Sequence, residues 1–443
     1  KRYFDVHPVV FWASTGIIAV LATLGALSTE GVGALVRELK DAVISQLGWL
    51  YLGAMVAFLL FALWLGLGPH RRLRLGRDDE RPQFNRFAWL AMLFSAGMGI
   101  GLLFYGVAEP VLHFAKPPLG APQSAEAARQ ALTISFFHWG LHPWGVYAVV
   151  ALALGYFGYR HDAPLTLRSA LSPLLGKHTE RLPGDVVDTL ASVSTMFGVA
   201  TSLGLGAMQI NAGLKHVFGV PQGHVAQLAI VAVITAMATG SVASGLERGV
   251  RRLSELNVIA GLLLMLFVLF SGPTVELLVT FLQATGEYLY RVPAYSVGSG
   301  LGDAAWRSSW TVFYWAWWIA WSPFVGMFIA RISRGRTFRE LVLGTLAVPT
   351  GVTFFWITVF GQTALHGELS GAPGIVDAVQ SNVPTALFVL LERLPAGNVV
   401  AVLAVVAVPL RHRCGGGRGA ALAAGAAGAA AEHAGVGHRG LEG

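Results

Sequence analysis

Ten stretches of mainly apolar residues recur along the chain, each close to the length that crosses a lipid bilayer as a helix. A span needs about 20 apolar residues, because a helix satisfies its own backbone groups across the hydrocarbon. The stretches lie near residues 8–28, 48–68, 88–109, 131–157, 187–215, 225–245, 256–272, 308–330, 341–362 and 385–410. The pattern predicts an all-α, polytopic membrane protein.

Composition and charge agree with a membrane protein. Of the 443 residues, 54% are hydrophobic and 12% are charged, whereas soluble domains carry about twice that charge. Basic residues concentrate in four loops: 69–86, 158–186, 246–255 and 331–340. The alternate loops hold few: 29–47, 110–130, 216–224 and 273–305. Loops rich in Lys and Arg lie on the cytoplasmic side of a membrane. We therefore expect a protein of the inner (plasma) membrane whose N-terminus is in the cytoplasm. The net charge of +7 is then explained by the basic loops between the spans and does not indicate nucleic-acid binding.

Tryptophan is concentrated in the eighth stretch, where residues 310–321 read WTVFYWAWWIAW. On a helix, Trp317, Trp318 and Trp321 share one face, at i, i+1 and i+4. Indole faces are the usual partners of a quaternary ammonium group. The alternative is an interfacial belt or plain packing, but belt residues lie at span ends and these run into the middle of a span.

The fourth stretch adds three aromatic residues of the same type in FFHWGLHPWGVY: Trp139, Trp144 and Tyr147. His138 and His142 lie at i and i+4 and could bind a metal ion. No further ligand is placed in the sequence to complete such a site, so hydrogen-bonded structural histidines are the favoured interpretation. Pro143 is expected to loosen the helix nearby.

The third stretch carries three glycines in mid-span: Gly97, Gly99 and Gly101. Such a run predicts a broken helix, which in transporters lines substrate and ion sites. Tight packing of small residues is the alternative. Glu109, at the outer end of this stretch, is interpreted as an interfacial or gating carboxylate. The spans contain no nucleophile–base pair at recognised spacing and no nucleotide-binding motif, so we expect neither an enzyme nor a cofactor.

Together these motifs resemble the betaine/choline/carnitine transporter family. The resemblance rests on GMGIGLLFYGVAEP, on FFHWGLHPWGVY and above all on WTVFYWAWWIAWSPFVGMFIARISRGRT, and extends from about Val6 to Pro409. It implies two peripheral helices followed by two inverted five-helix repeats of the LeuT type, with the substrate site between spans three and eight. It also implies sodium-coupled uptake of a quaternary-ammonium osmolyte by alternating access, and suggests a homotrimer.

The family's ammonium cage corresponds to all six of these aromatic residues: Trp139, Trp144, Tyr147, Trp317, Trp318 and Trp321. Its glycine motif corresponds to Gly97–Gly101, including Gly99. Choline-selective members often have Asp where this chain has Gly101. The resemblance therefore implies a glycine betaine substrate, which brings its own carboxylate and would be repelled by a further anion.

The family's sodium sites are only partly matched. Thr195 and Phe324 correspond to one site, but the second hydroxyl position is Val199. The other site would use backbone oxygens near Ser95 and Met98 with a Thr-Ser pair on span ten, and that pair is missing.

The sequence changes character after Leu410. We interpret residues 1–410 as the transporter domain. Residues 411–443 begin with a basic segment and are then rich in Gly and Ala. We interpret this segment as an aberrant, disordered tail after a frameshift or truncation that leaves the second repeat incomplete. A genuinely short variant is the alternative. If the truncation is real, the chain could instead be a non-transporting membrane protein, either a substrate sensor or an inactive transporter.

Overall fold

The computed structural model describes residues 7–97, 99–243, 247–397 and 400–402. Within them, six helices are long and apolar enough to cross a membrane, or seven if one bent pair counts as a span. Three shorter apolar helices lie where spans three, six and ten were predicted: Ile100–Ala115, His224–Met237 and Val383–Glu392. The all-helical, multi-pass architecture is confirmed, and the described residues contain fewer full-length spans than the ten predicted. The predicted tail lies outside the described residues.

The first half of the described chain forms nine helices: α1 (Pro8–Leu27), α2 (Thr29–Leu67), α3 (Arg86–Gly97), α4 (Ile100–Ala115), α5 (Ala125–Trp139), α6 (Leu141–Arg160), α7 (Leu167–Ala170), α8 (Ser172–Leu175) and α9 (Leu182–Phe218). The second half forms nine more: α10 (His224–Ala243), α11 (Glu247–Ser271), α12 (Thr274–Ser296), α13 (Ala304–Arg307), α14 (Phe313–Ile332), α15 (Phe338–Ile357), α16 (Thr363–Leu369), α17 (Ile375–Ser381) and α18 (Ala386–Glu392). Single π-helical turns join α13 to α14 and α15 to α16.

The two N-terminal helices are peripheral. Ser14 is the one buried residue of α1, while Trp12 is 71% exposed. Such an apolar, exposed surface is expected to face lipid. The predicted loop 29–47 is wrong, because α2 begins at Thr29 and continues unbroken to Leu67. The segment contains good helix formers such as Ala, Leu, Glu and Lys and no proline, so nothing interrupts the helix before the span.

Two helix breaks position the site. In the third span, α3 ends at Gly97, and Gly99 has extended backbone (φ −80°, ψ 172°) before α4 begins. The predicted glycine break is therefore confirmed. In the fourth span, α5 ends at Trp139 and α6 begins after Gly140. Pro143 lies in the first turn of α6, where its missing N–H costs no helical hydrogen bond.

The core lies among α4, α5, α6, α14 and α15, which carry many of the fully buried side chains. Helix α14 packs against α6 and α9, and α4 packs against α5 and α9. Helix α12 turns away from the Ile259–Ser271 part of α11 by 109° and packs across α5. The second half of the broken third span thus packs against the fourth span through α5 and against the fifth span through α9.

The loops that follow α2 and α14 are joined in what we call the clasp. Leu75 N–H donates to Arg336 O (2.8 Å) and Gly335 N–H donates to Leu75 O (2.7 Å). Arg336 is 5% exposed, lies over the Trp89 ring (4.7 Å) and donates to Phe84 O (2.8 Å). Both loops were assigned to the same side of the membrane on charge, and their contact agrees with a shared side. That this side is cytoplasmic stays a prediction.

Charged pairs reinforce the loops around the clasp. The guanidinium of Arg160 donates to Asp78 (2.7 Å), and this hydrogen bond and the positive charge lower the pKa of the exposed Asp78 carboxyl. Burial of the Arg168 side chain disfavours its charged form and lowers its pKa. The ion pairs with Asp188 and Asp185 outweigh this effect, so the pKa of Arg168 is raised overall. These loops are therefore ordered by ion pairs as well as by backbone hydrogen bonds.

Candidate functional site

Five aromatic side chains from three helices meet beside the break in the third span. We call them the ring group: Tyr105 from α4, Trp139 from α5, and Tyr314, Trp317 and Trp318 from α14. Trp317 and Trp318 are stacked, with centroids 4.9 Å apart and planes at 9°. Trp139 meets Trp318 edge to face at 4.9 Å. The structure therefore brings together three of the six predicted cage residues.

The face of α14 that forms the ring group differs from the predicted face. Tyr314, Trp317 and Trp318 lie at i, i+3 and i+4 and project to one side of the helix. Sequence reasoning selected Trp321 and missed Tyr314, although the i−3 spacing from Trp317 was a usable signal. Tyr105, from α4, lies 6.2 Å from Trp317, centroid to centroid. It could not be found by spacing within one helix.

Gly101 lies between two of these indoles. A Cβ atom at this position would be 2.9 Å from Cη2 of Trp139 and 2.9 Å from Cη2 of Trp317. Real Cβ atoms do not approach ring carbons so closely, because the packing of the interior leaves no room. By contrast, a Cβ at Gly99 would have no heavy atom within 4 Å. Of the two predicted glycines, Gly101 is the one that the ring group requires.

The other predicted cage residues form two separate pairs. Trp144 and Tyr147 on α6 meet edge to face at 5.4 Å. Trp321 meets Phe324 at 5.1 Å and lies over Gly198 of α9, where a Cβ would be 3.2 Å from the indole. Trp144, Tyr147 and Trp321 are buried or half-buried, but only Trp321 lies on a helix that contributes to the ring group. A role for these three residues in the site stays a prediction.

Glu109 is enclosed by protein, so the interpretation as an exposed interfacial carboxylate was wrong, whereas the gating alternative stays a prediction. Its side chain is fully buried and accepts hydrogen bonds from His138 Nδ1 (2.6 Å) and Trp139 Nε1 (2.8 Å). It also accepts from the Tyr314 hydroxyl and from His113 Nε2 (3.3 Å). Helix α4 continues beyond the predicted span end and is covered by α17 and α18, which is why the carboxylate is enclosed.

The two histidines of the fourth span act separately. His138 donates from Nδ1 to Glu109, and its Nε2 shares a hydrogen bond with the Thr311 hydroxyl (3.0 Å). Its backbone oxygen accepts the indole N–H of Trp318 (2.9 Å). His142 shares a hydrogen bond with Ser296 (3.0 Å). Hydrogen-bonded histidines were expected, and both side chains have such partners.

A possible ligand set for a metal ion was overlooked in the sequence. Glu109, His113 and His138 each offer one ligand atom, and these three atoms all lie within 4.8 Å of one another. The Glu109–His113 spacing of i, i+4 was the signal for it. Both imidazoles are hydrogen-bonded to the same carboxylate oxygen, so the arrangement serves as a hydrogen-bonded cluster in this structure. We call these three residues the Glu–His cluster.

The predicted sodium ligands are only partly described. Thr195 on α9 lies three residues before Gly198, and Phe324 on α14 lies three residues after Trp321. Since Gly198 contacts Trp321, both residues lie about one turn from a contact between the same two helices. Met98 and the side chain of Ser95 lie outside the described part of the chain.

Comparison with known proteins gives one family and several related transporters. Residues 9–410 match the model of the betaine/carnitine/choline family transporters. A glycine betaine transporter of Acinetobacter baylyi is 42% identical over 418 residues, covering 93% of this chain and 62% of the relative. The glycine betaine transporter OpuD of Bacillus subtilis is 41% identical, covering 90% of this chain and 78% of the relative.

Choline transporters are similar to a comparable degree. The high-affinity choline transport protein of Escherichia coli is 41% identical over 403 residues, covering 90% of this chain and 60% of the relative. The chain therefore spans about three fifths of the length of two of these three relatives. Overall similarity does not separate the two substrates, so the choice between them depends on the site.

Proposed function

The chain belongs to the betaine/carnitine/choline family of transporters, and we propose that it takes up glycine betaine together with sodium by alternating access. The observation that carries the proposal is the group of Trp139, Trp317 and Trp318 beside the broken third span. Indole faces hold a quaternary ammonium group by cation–π attraction, worth roughly 2 kcal/mol when desolvated. The rings contact each other directly, so binding a cation between them requires the rings to separate.

Two features favour a zwitterion over choline. Gly101 adds no charge and fills no space between Trp139 and Trp317. The buried indole N–H of Trp317 has no hydrogen-bond partner among the described residues, and an unpaired buried donor is costly. A substrate carboxylate would satisfy it. The four hydrogen bonds that the nearby Glu109 carboxylate accepts offset part of its negative charge and so reduce its repulsion of that group.

Sodium coupling is supported by weaker observations. Thr195 and Phe324 lie on helices that pack together, and hydroxyl and carbonyl oxygens suit a hard cation. The break at Gly99 exposes backbone in mid-span, which is where secondary transporters bind coupling ions. We further propose inverted five-helix repeats of the LeuT type, a homotrimer, and a plasma-membrane location with the N-terminus in the cytoplasm. No cofactor or enzymatic step is needed for this function.

The test is binding followed by uptake. Purified protein is titrated with glycine betaine and with choline, in sodium and in potassium, and is then reconstituted into liposomes with a sodium gradient. We expect glycine betaine to bind more tightly than choline and to accumulate only with inward sodium. Binding without accumulation would favour the alternative of a non-transporting substrate sensor. Absence of binding to either compound would reject the proposal.

A further inference from the structure

The Glu109 carboxylate is connected to three of the five members of the ring group. Trp139 and Tyr314 donate to it directly. Trp318 donates to the backbone oxygen of His138, whose imidazole donates to the same carboxylate. Through these bonds one side chain on α4 fixes residues of α5 and α14, two of the three helices whose rings form the site.

This carboxylate is fully buried. Burying a charge is costly unless hydrogen bonds compensate it, and the two oxygens of a carboxylate accept about four such bonds. Glu109 has four: from His113 on its own helix, from His138 and Trp139 on α5, and from Tyr314 on α14. Each donor needs an ionised acceptor, since a protonated carboxyl would point its own hydrogen at one of them.

We propose that Glu109 is a positioning residue for the substrate site: as a buried carboxylate it holds the rings of Trp139, Tyr314 and Trp318 in place and adds negative charge beside the bound cation. The proposal rests on the proposed function, because it takes the ring group as the ammonium site. Glu109 itself need not touch the substrate.

The experiment compares two variants of the network with a matched control. Glu109→Gln keeps the shape of the side chain but removes its charge. Tyr314→Phe removes the hydroxyl donor but keeps the ring. His142→Gln is the control, because His142 is a buried histidine one turn after His138 whose hydrogen bond goes to Ser296 instead. Glycine betaine is titrated into each purified protein at neutral pH, and the quenching of tryptophan fluorescence is measured.

We expect Glu109→Gln to weaken binding at least about tenfold, because hydrogen bonds to a charged group are the stronger kind. Tyr314→Phe should weaken binding by a smaller factor. The control should bind as wild type does. Wild-type affinity in Glu109→Gln would overturn the proposal. If that variant cannot be recovered folded, unchanged affinity in Tyr314→Phe would do so.

A ligand-free measurement separates this proposal from the proposed function. Near-ultraviolet circular dichroism reports how rigidly the indoles are held. If wild-type protein binds no glycine betaine, the proposed function fails, but both network variants should still lose near-ultraviolet signal relative to the His142→Gln control. Unchanged spectra in both variants would show that Glu109 does not position the rings.

Discussion

Gly101 and Trp317 are packed so closely that a Cβ atom at position 101 would lie 2.9 Å from Cη2 of the indole. Any side chain here must displace Trp317, and Trp139 as well, before its charge or polarity can act. We therefore expect Gly101→Ala to weaken glycine betaine binding several-fold without adding charge. The measurement is a fluorescence titration, with Gly351→Ala as control, since a Cβ at Gly351 meets no atom within 4 Å. Equal affinity in Gly101→Ala and wild type would contradict the packing argument.

Gly101→Asp should change the substrate preference as well as the packing. The added carboxylate would repel the carboxylate of glycine betaine and attract the cation of choline. We expect the ratio of glycine betaine to choline affinity to fall relative to Gly101→Ala, which carries the same Cβ without the charge. Competition between the two compounds measures this ratio. If the ratio is the same in the Ala and Asp variants, charge at position 101 does not set the preference.

Trp318→Leu should weaken glycine betaine binding about thirtyfold, the equivalent of one desolvated cation–π contact of roughly 2 kcal/mol. Leu keeps an apolar side chain but has no π face. The control is Trp12→Leu, because Trp12 is 71% exposed on peripheral α1. Isothermal titration gives both affinities. An affinity in Trp318→Leu within twofold of wild type would remove Trp318 from the site.

The helix breaks and the indoles of the site follow from local chemistry, which is why the sequence predicts them. Glycine acts on its own backbone, so the interruption near Gly99 needs no knowledge of the rest of the fold. The interruption of the fourth span was expected near Pro143 and lies at Gly140 instead. The position of Glu109 is different. Hydropathy ends the span at that residue, yet the carboxylate is enclosed by helices from distant parts of the chain. Packing between remote segments decides whether a charged side chain at the end of an apolar stretch is buried or exposed to water. This packing cannot be predicted from the spacing of residues along the sequence.

Thr195→Val should raise the sodium concentration needed for glycine betaine binding, but only several-fold. The effect is limited because Val199 replaces the second hydroxyl of that predicted site, so the site near the broken third span should dominate. Thr201→Val is the matched control, since the Thr201 side chain on the same helix is exposed and bonds to its own helix at Phe197 O (2.9 Å). Binding is measured against sodium at constant ionic strength. A Hill coefficient near two would indicate two full sodium sites and contradict this prediction.

Arg336→Met should destabilise the protein by opening the clasp. Arg336 is buried, donates to Phe84 O, pairs with Glu340 (3.3 Å) and lies over Trp89. Met fills similar volume but leaves the Phe84 oxygen and the Glu340 carboxylate without this donor, a loss of roughly 2 kcal/mol or more. We expect a lower midpoint of thermal unfolding in detergent. Arg339→Met, which removes an exposed arginine three residues later, controls for the loss of loop charge. Because the clasp joins the loops after α2 and α14, a midpoint in Arg336→Met equal to that of Arg339→Met would mean that this contact contributes little to holding the eighth span beside the rest of the bundle.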